Sequence, residues 1–360
     1  MPAGAVIHSD NLGSLLRPDY LRAAHQDPSA SPEDRRSAED RAILEAIALQ
    51  ERVGLAVITD GEFRRRHFFS TLVAVTDGLD PEGYTRHHRD ESGRWFPVRT
   101  PAPRRRLERT NTVAEHELRF VREHTDRLVK ATLPAPSLLA AYWAGPTEDG
   151  AYDTREAYLD HLIELTREDV RALADAGADH VQLDAPHYSY ISTIRPDAGD
   201  PDEALADAAR RDQEVFEGVS GVESALHVCR GNNRSRYVGS DPYAQFADVL
   251  FPLIRVDRLL LEYDDDRSGG FEPLRLLPER VVVVLGLLTT KRSDLEDRDG
   301  VRRRIEEAGE HIDLDRLALS TQCGFASDAE GNVISREAQR AKLELVVSLA
   351  GEVWGPAVPA

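Results

Sequence analysis

The chain has 360 residues, 41% of them hydrophobic and 30% charged, and its 45 Lys and Arg face 64 Asp and Glu for a formal net charge of -19. That composition describes a globular protein large enough for one big domain or two ordinary ones, and the acidic balance speaks against nucleic acid and anionic membrane surfaces as partners. No stretch approaches the ~18 apolar residues of a membrane helix, and residues 1–16 lack the basic start and apolar run of an export signal, so a cytoplasmic location is expected.

Short β-rich runs alternate with longer amphipathic segments. In chain order, strands are predicted over residues 5–8, 55–59, 128–133, 180–183, 224–228, 258–262, 281–286 and 317–320. Helices are predicted between them, over 37–52 with Ser37 as N-cap, then 158–176 ending at Gly177, 201–219, 299–308 and 335–350. Eight strands alternating with helices predict an α/β fold of the (β/α)8 TIM-barrel type, a single catalytic barrel over residues 1–360. A doubly wound sheet fits the alternation too, but no G-x-G-x-x-G follows a strand and no P-loop is present. Residues 80–110 break the pattern with the polar runs Arg86-His87-His88-Arg89-Asp90 and Arg104-Arg105-Arg106. They are expected to form an insertion, either a lid or an oligomer contact.

In a barrel, functional groups sit at the C-terminal ends of strands, and polar residues gather there. The chain has two cysteines, Cys229 and Cys323. Cys229 follows His227 at a spacing of two on a predicted strand, which puts both side chains on one face. Glu262 ends the next strand, and Cys323 follows the eighth. One His, two Cys and one Glu form a soft four-ligand set suited to Zn2+, convergent only if the barrel closes. Without the short C-x-x-C pairs this is not a zinc finger. A Cys229–Cys323 disulfide is the alternative, disfavoured by the compartment.

These residues carry a resemblance. Gly13-Ser14, Asp60-Gly61-Glu62-Phe63, Gln182-Leu183-Asp184-Ala185-Pro186, His227-Val228-Cys229-Arg230-Gly231-Asn232, Leu261-Glu262 and Gln322-Cys323-Gly324-Phe325 run in order along nearly the whole chain. Together they resemble the C-terminal catalytic barrel of cobalamin-independent methionine synthases and their short single-barrel relatives. The resemblance implies zinc held by His227, Cys229, Glu262 and Cys323, and a homocysteine-like thiol whose amino-acid part is held by Ser14, Glu62 and Asp184. Two carboxylates from separate strands suit an α-ammonium group. The family's histidine after the seventh strand is replaced by Thr289-Thr290-Lys291, so Lys291 is the candidate proton donor, with a solvated loop lysine as the alternative. Trp143 is the candidate aromatic for stacking on a flat donor ring.

The reaction implied is alkyl transfer to a substrate thiol, with methyl transfer to homocysteine leading and the donor, methyltetrahydrofolate or a different methyl carrier, left open. A thiol alkylation with another electrophile, as in epoxide:coenzyme M transferases, and a metal-free barrel of the uroporphyrinogen-decarboxylase type are the alternatives. A metal-dependent hydrolase would favour His and Asp ligands over paired thiolates. The expected partners are small molecules, with association into a homo-oligomer left open by the insertion.

Overall fold

The structure is a computed structural model that describes residues 6–355 apart from 91, 196–198 and 240. Seven parallel strands form one sheet: β1 (Val57–Ile58), β4 (Leu128–Pro134), β5 (His180–Asp184), β6 (Glu223–Val228), β7 (Arg258–Glu262), β8 (Val282–Leu288) and β9 (Leu317–Thr321), each paired with the next. The sheet curls into a barrel of the TIM type. Strands β5 to β9 are buried almost throughout, as runs such as Val282-Val283-Val284-Leu285 require when a parallel sheet is covered on both faces.

The eighth position is held differently from the prediction. Ala5 of the expected first strand lies outside the described residues, and residues 6–8 form no strand. Ser9 instead makes a single parallel bridge to Leu319, with Leu319 N donating to His8 O and Asp10 N to Leu319 O. On its other side this segment meets β1 largely through side chains. Asn11 Nδ2 donates to Gln50 Oε1 and Val57 O, Thr59 Oγ1 donates to Gly13 O, and Gln50 bonds Thr59 on both sides. This seam leaves residues 12–15 free of a ladder, at the mouth where they are needed.

The helices follow the predicted order with shifted ends. The helix expected over 37–52 spans Pro32–Val53, and its cap is Ser31 rather than Ser37. Ser31 accepts from Asp34 N while Asp34 accepts from Ser31 N, a capping box with Pro32 at the first helical position, where its missing N–H costs nothing. The predicted 201–219 helix stops at Gln213. The others, Arg155–Asp175, Arg298–Gly309 and Arg336–Trp354, start from Thr154, Asp297 and Ser335 caps that each accept a backbone N–H.

The insertion is an antiparallel hairpin of β2 (Thr76–Arg89) and β3 (Trp95–Arg109), with bulges between Asp77 and Leu79 and between Asp80 and Tyr84. It stands outside the barrel sheet and folds over the mouth, where His88, Phe96 and Val98 join the wall of the cavity there.

Candidate metal centre and its cavity

Four of the predicted ligands meet. His227 lies on β6, Cys229 follows it directly, Glu262 is the last residue of β7, and Cys323 stands two residues beyond β9. The register pairs Val228 with Leu261, which sets Glu262 level with Cys229. One ligand atom from each of the four lies within 4.8 Å of all the others, and all four residues are buried. The sulfurs are 3.8 Å apart as free thiols. That distance is the edge of a tetrahedron whose centre lies ~2.3 Å from each sulfur, the ordinary zinc–thiolate length. His227 Nε2 is 3.6 Å from Glu262 Oε1, yet that nitrogen and both Glu262 oxygens are buried without a hydrogen-bond partner. Orphaned polar atoms are rare in a packed interior. Three of them facing two thiols fit a cation of the zinc class.

The surrounding groups tune the set. His227 Nδ1 bonds Asp184 Oδ1 at 3.1 Å, the outer contact that fixes a ligating imidazole's ring and tautomer. Asp184 is held in turn by Gln182 Nε2 at 2.8 Å, which also reaches Leu12 O. Burial opposes a charged His227, but the bond to Asp184 and the nearby Glu262 carboxylate outweigh it and raise its pKa to about 10. Burial would likewise raise Glu262, and His227 and Lys291 keep it below the usual carboxylate value. Cys229 is pushed well up, first by the Cys323 thiol and then by burial. The protein alone thus holds a proton on His227, and a divalent cation would displace it.

The cavity beside this centre is lined by Ser14, Glu62 and Asp184 as well as by His227, Cys229 and Cys323. Ser14 is presented by a tight approach of two loops. A Cβ on Gly324 would fall 2.1 Å from Ser14 Oγ, and one on Gly13, at φ +132°, would fall 2.5 Å from Glu62 Oε1. A side chain at Gly324 would displace the Ser14 hydroxyl, and one at Gly13 would be strained and displace the Glu62 carboxylate. Glu62 is buried in the left-handed region at φ 58°. Burial pushes its carboxyl up to about 7, Arg65 works against that, and Asp184 and Asp60 add to it.

Two predicted residues sit elsewhere. Trp143 is absent from the cavity wall. It packs against the main core, and the aromatic that reaches the cavity is its neighbour Tyr142. Lys291 is buried behind the wall, donating to Gly231 O, Asn232 Oδ1 and Arg236 O at 3.0–3.1 Å and lying over the Tyr237 ring. All three ammonium protons are engaged, so Lys291 braces the loop after β6. Burial holds its pKa below the ordinary value against the pull of Glu262 and the thiols.

Sequence reasoning missed the remaining wall. Phe68, Phe69, His88, Phe96, Tyr142 and Tyr190 form an aromatic side, with His67 among them. Burial brings His67 down to about 4, so it is neutral near pH 7. Only the His87-His88 pair within the insertion hinted at a contribution from that segment.

Residues 17–352 match the family model described as cobalamin-independent synthase, catalytic domain. The chain is 34% identical over 366 residues to YxjH of Bacillus subtilis (strain 168), covering 97% of this chain and 95% of that protein. It is 24% identical over 312 residues to a methionine synthase of Pyrococcus abyssi (strain GE5 / Orsay), covering 86% and 82%. The solved structure of a B12-independent methionine synthase from Shewanella sp. W3-18-1, in complex with selenomethionine, superposes with a TM-score of 0.77 over 97% of this chain and 98% of that one. At 21% sequence identity that likeness speaks for the fold.

Proposed function

The chain belongs to the cobalamin-independent synthase family through its catalytic domain, and from that premise we propose that it is a zinc-dependent S-methyltransferase acting on homocysteine or a close thiol amino acid. The observation that carries the reading is the buried meeting of His227, Cys229, Glu262 and Cys323, with His227 Nε2 and both Glu262 oxygens lacking partners. A metal-free barrel of the decarboxylase type would leave those three atoms buried and unpaid by any hydrogen bond.

His227, Cys229, Glu262 and Cys323 would hold the ion. When bound, zinc in this set carries a net charge of -1, two thiolates and a carboxylate against its two positive charges. It supplies a soft centre that lowers a thiol's pKa while keeping the sulfur nucleophilic. The chain's own residues do the rest. Glu62 and Asp184 receive the α-ammonium group, with Ser14 beside them, and so aim the thiol of the same molecule at the centre. Asp184 also fixes His227, so one carboxylate orients both substrate and ligand. The aromatic side and the hairpin keep water from the reacting carbon. The substrate sulfur loses its proton and bonds the alkyl carbon as the carbon–donor bond breaks, and the electron pair leaves with the donor, which is then protonated. Lys291 contributes its charge to the centre's field while its protons stay with the loop.

The test is zinc analysis with X-ray absorption, with and without homocysteine. One more sulfur around zinc after homocysteine is added is the expected result. Protein that contains no zinc and cannot take it up would overturn the reading.

A further inference from the structure

Glu62 is held by a chain of polar contacts that the reaction itself does not use. Arg65 sits three residues on, fully buried. Its Nε and Nη2 grip Glu117 at 3.0 and 2.6 Å, Nη2 also reaches Thr132 O at 2.8 Å, and Nη1 donates to Thr132 Oγ1 at 2.8 Å. Thr132 Oγ1 in turn lies 3.0 Å from Glu62 Oε1. A guanidinium has only donors. Because Arg65 occupies the Thr132 oxygen as an acceptor, the hydroxyl proton is left to point at Glu62. The carboxylate therefore meets a fixed donor from Thr132 and, at 3.6 Å, the Arg65 charge.

We propose that Thr132 and Arg65 are positioning residues for the ammonium subsite, keeping Glu62 aimed and charged, and that Glu117 acts one step further out by holding Arg65. This rests on the reading of Glu62 as an ammonium partner. The arrangement has a further feature. Thr71 donates to Glu117 Oε1 from the short helix Ser70–Ala74, just before β2, while Glu117 lies in the helical turn Ala114–Leu118, just after β3. Both stems of the hairpin over the mouth thus end on the group that sets Glu62.

The charged groups facing Glu62 are Arg65 and Asp60 on its own loop, Arg17 from the N-terminal segment and Asp184 from β5. Arg17 donates to the backbone oxygens of Glu62 and Arg65, and so fixes the loop rather than the carboxylate.

The test compares the zinc-loaded full-length protein with its Thr132→Val, Thr132→Ser and Glu62→Gln variants, by calorimetric titration with homocysteine across pH. Thr132→Val preserves volume on β4 and removes the donor. Homocysteine affinity should fall roughly tenfold, as for a lost hydrogen bond to a charged group, with zinc content unchanged and the binding profile moved to higher pH. Thr132→Ser should restore both. Wild-type affinity and an unmoved profile in Thr132→Val, with affinity lowered in Glu62→Gln, would overturn the positioning role and leave the ammonium subsite standing. Zinc-loaded wild-type protein that does not bind homocysteine would overturn both.

Discussion

The two ends of the barrel bury charge in opposite ways. At the strand starts, Asp10 meets Lys130 at 2.7 Å and Arg258 at 3.7 Å, Arg258 also meets Glu223 at 3.8 Å, and Glu223 meets His180 at 2.9 Å. Each anion there has a cation within reach. At the strand ends, two thiols, Glu262 and Asp184 converge on one imidazole and a lysine whose protons are engaged elsewhere. A buried network in which each anion faces a cation closes a barrel floor, whereas anionic and thiol ligand atoms gathered around one imidazole, with the nearby lysine engaged elsewhere, make a place prepared for a cation that is not protein. This agrees with the rule that the N-terminal face of a barrel serves stability and the C-terminal face serves chemistry.

The sharpest way to break this contrast is a pair of substitutions, one at each end. Cys323→Ser should abolish zinc retention and activity together while the fold persists, read by metal analysis and circular dichroism. Full metal content in that variant would remove Cys323 from the centre. Lys130→Met should do the reverse. It leaves Asp10 buried with the Asn11 N–H at 2.8 Å and Arg258 at 3.7 Å but without its close ion pair, which costs about 3 kcal/mol of stability. Denaturant titration should show that loss with zinc stoichiometry intact. A Lys130→Met protein that keeps its stability and loses zinc would erase the distinction between the ends.

The mouth's half of this contrast is legible in the sequence because its ligands are written on strands, while the floor network is not. His227 and Cys229 share a face by period two, and Glu262 ends an apolar run. The Val/Ile/Leu runs of β5 to β9 are unambiguous since a strand covered on both sides tolerates little else. The hairpin was not legible. Its strands are largely polar, carry Pro81, Pro97, Pro101 and Pro103, contain two bulges and bury residues in blocks, so the alternation that marks a half-buried strand is absent. The first strand was over-read because residues 6–8 have strand composition but no ladder, and side chains do the pairing instead. Trp143 offers a ring for stacking on a flat donor, but the turn at 140–143 puts Tyr142 in the cavity. Position in the chain suggests Lys291 as a proton donor but says nothing of where its three protons go. The outer contacts, Asp184 on His227 and Arg65 on Thr132, join residues 43 and 67 apart and exist only once the barrel closes.

Asp184 sharpens the comparison, because it belongs to both functions of the mouth. Asp184→Asn removes a charge but can keep an oxygen facing His227 Nδ1 and Gln182 Nε2. Zinc affinity should therefore drop by about tenfold, the lower end of the range for an outer-shell partner. Homocysteine affinity should fall by a similar factor, through loss of an ion pair with the ammonium group. Competition with a chelator reads the first and titration of the zinc-loaded variant reads the second. Unchanged homocysteine affinity would confine Asp184 to the metal side.

The smallest effect expected is one of pH, and its sign follows from Glu62. With its carboxyl raised to about 7 by burial, against the pull of Arg65, the empty site holds a largely neutral Glu62 below that pH. The α-ammonium of homocysteine stays protonated through this range, and the proton its thiol gives up on binding zinc is common to wild type and variants, so the Glu62 part of the profile is the difference between wild type and Glu62→Gln. Binding should be strongest above pH 7 and weaken as pH falls through it, by about tenfold between pH 8 and pH 6 if Glu62 alone titrates. The same shift works against folding. A carboxyl whose folded pKa exceeds its ordinary value favours the folded state while protonated, and that contribution is lost as pH rises from the ordinary value through about 7. Glu62→Gln should therefore flatten the binding profile, lower the affinity at pH 8, and make stability less sensitive to pH between 5 and 7. Floor residues have no part in this, so Lys130→Met should keep the wild-type binding profile at any pH where it is folded. A profile that survives Glu62→Gln would move the titrating group to Asp60 or to the centre itself.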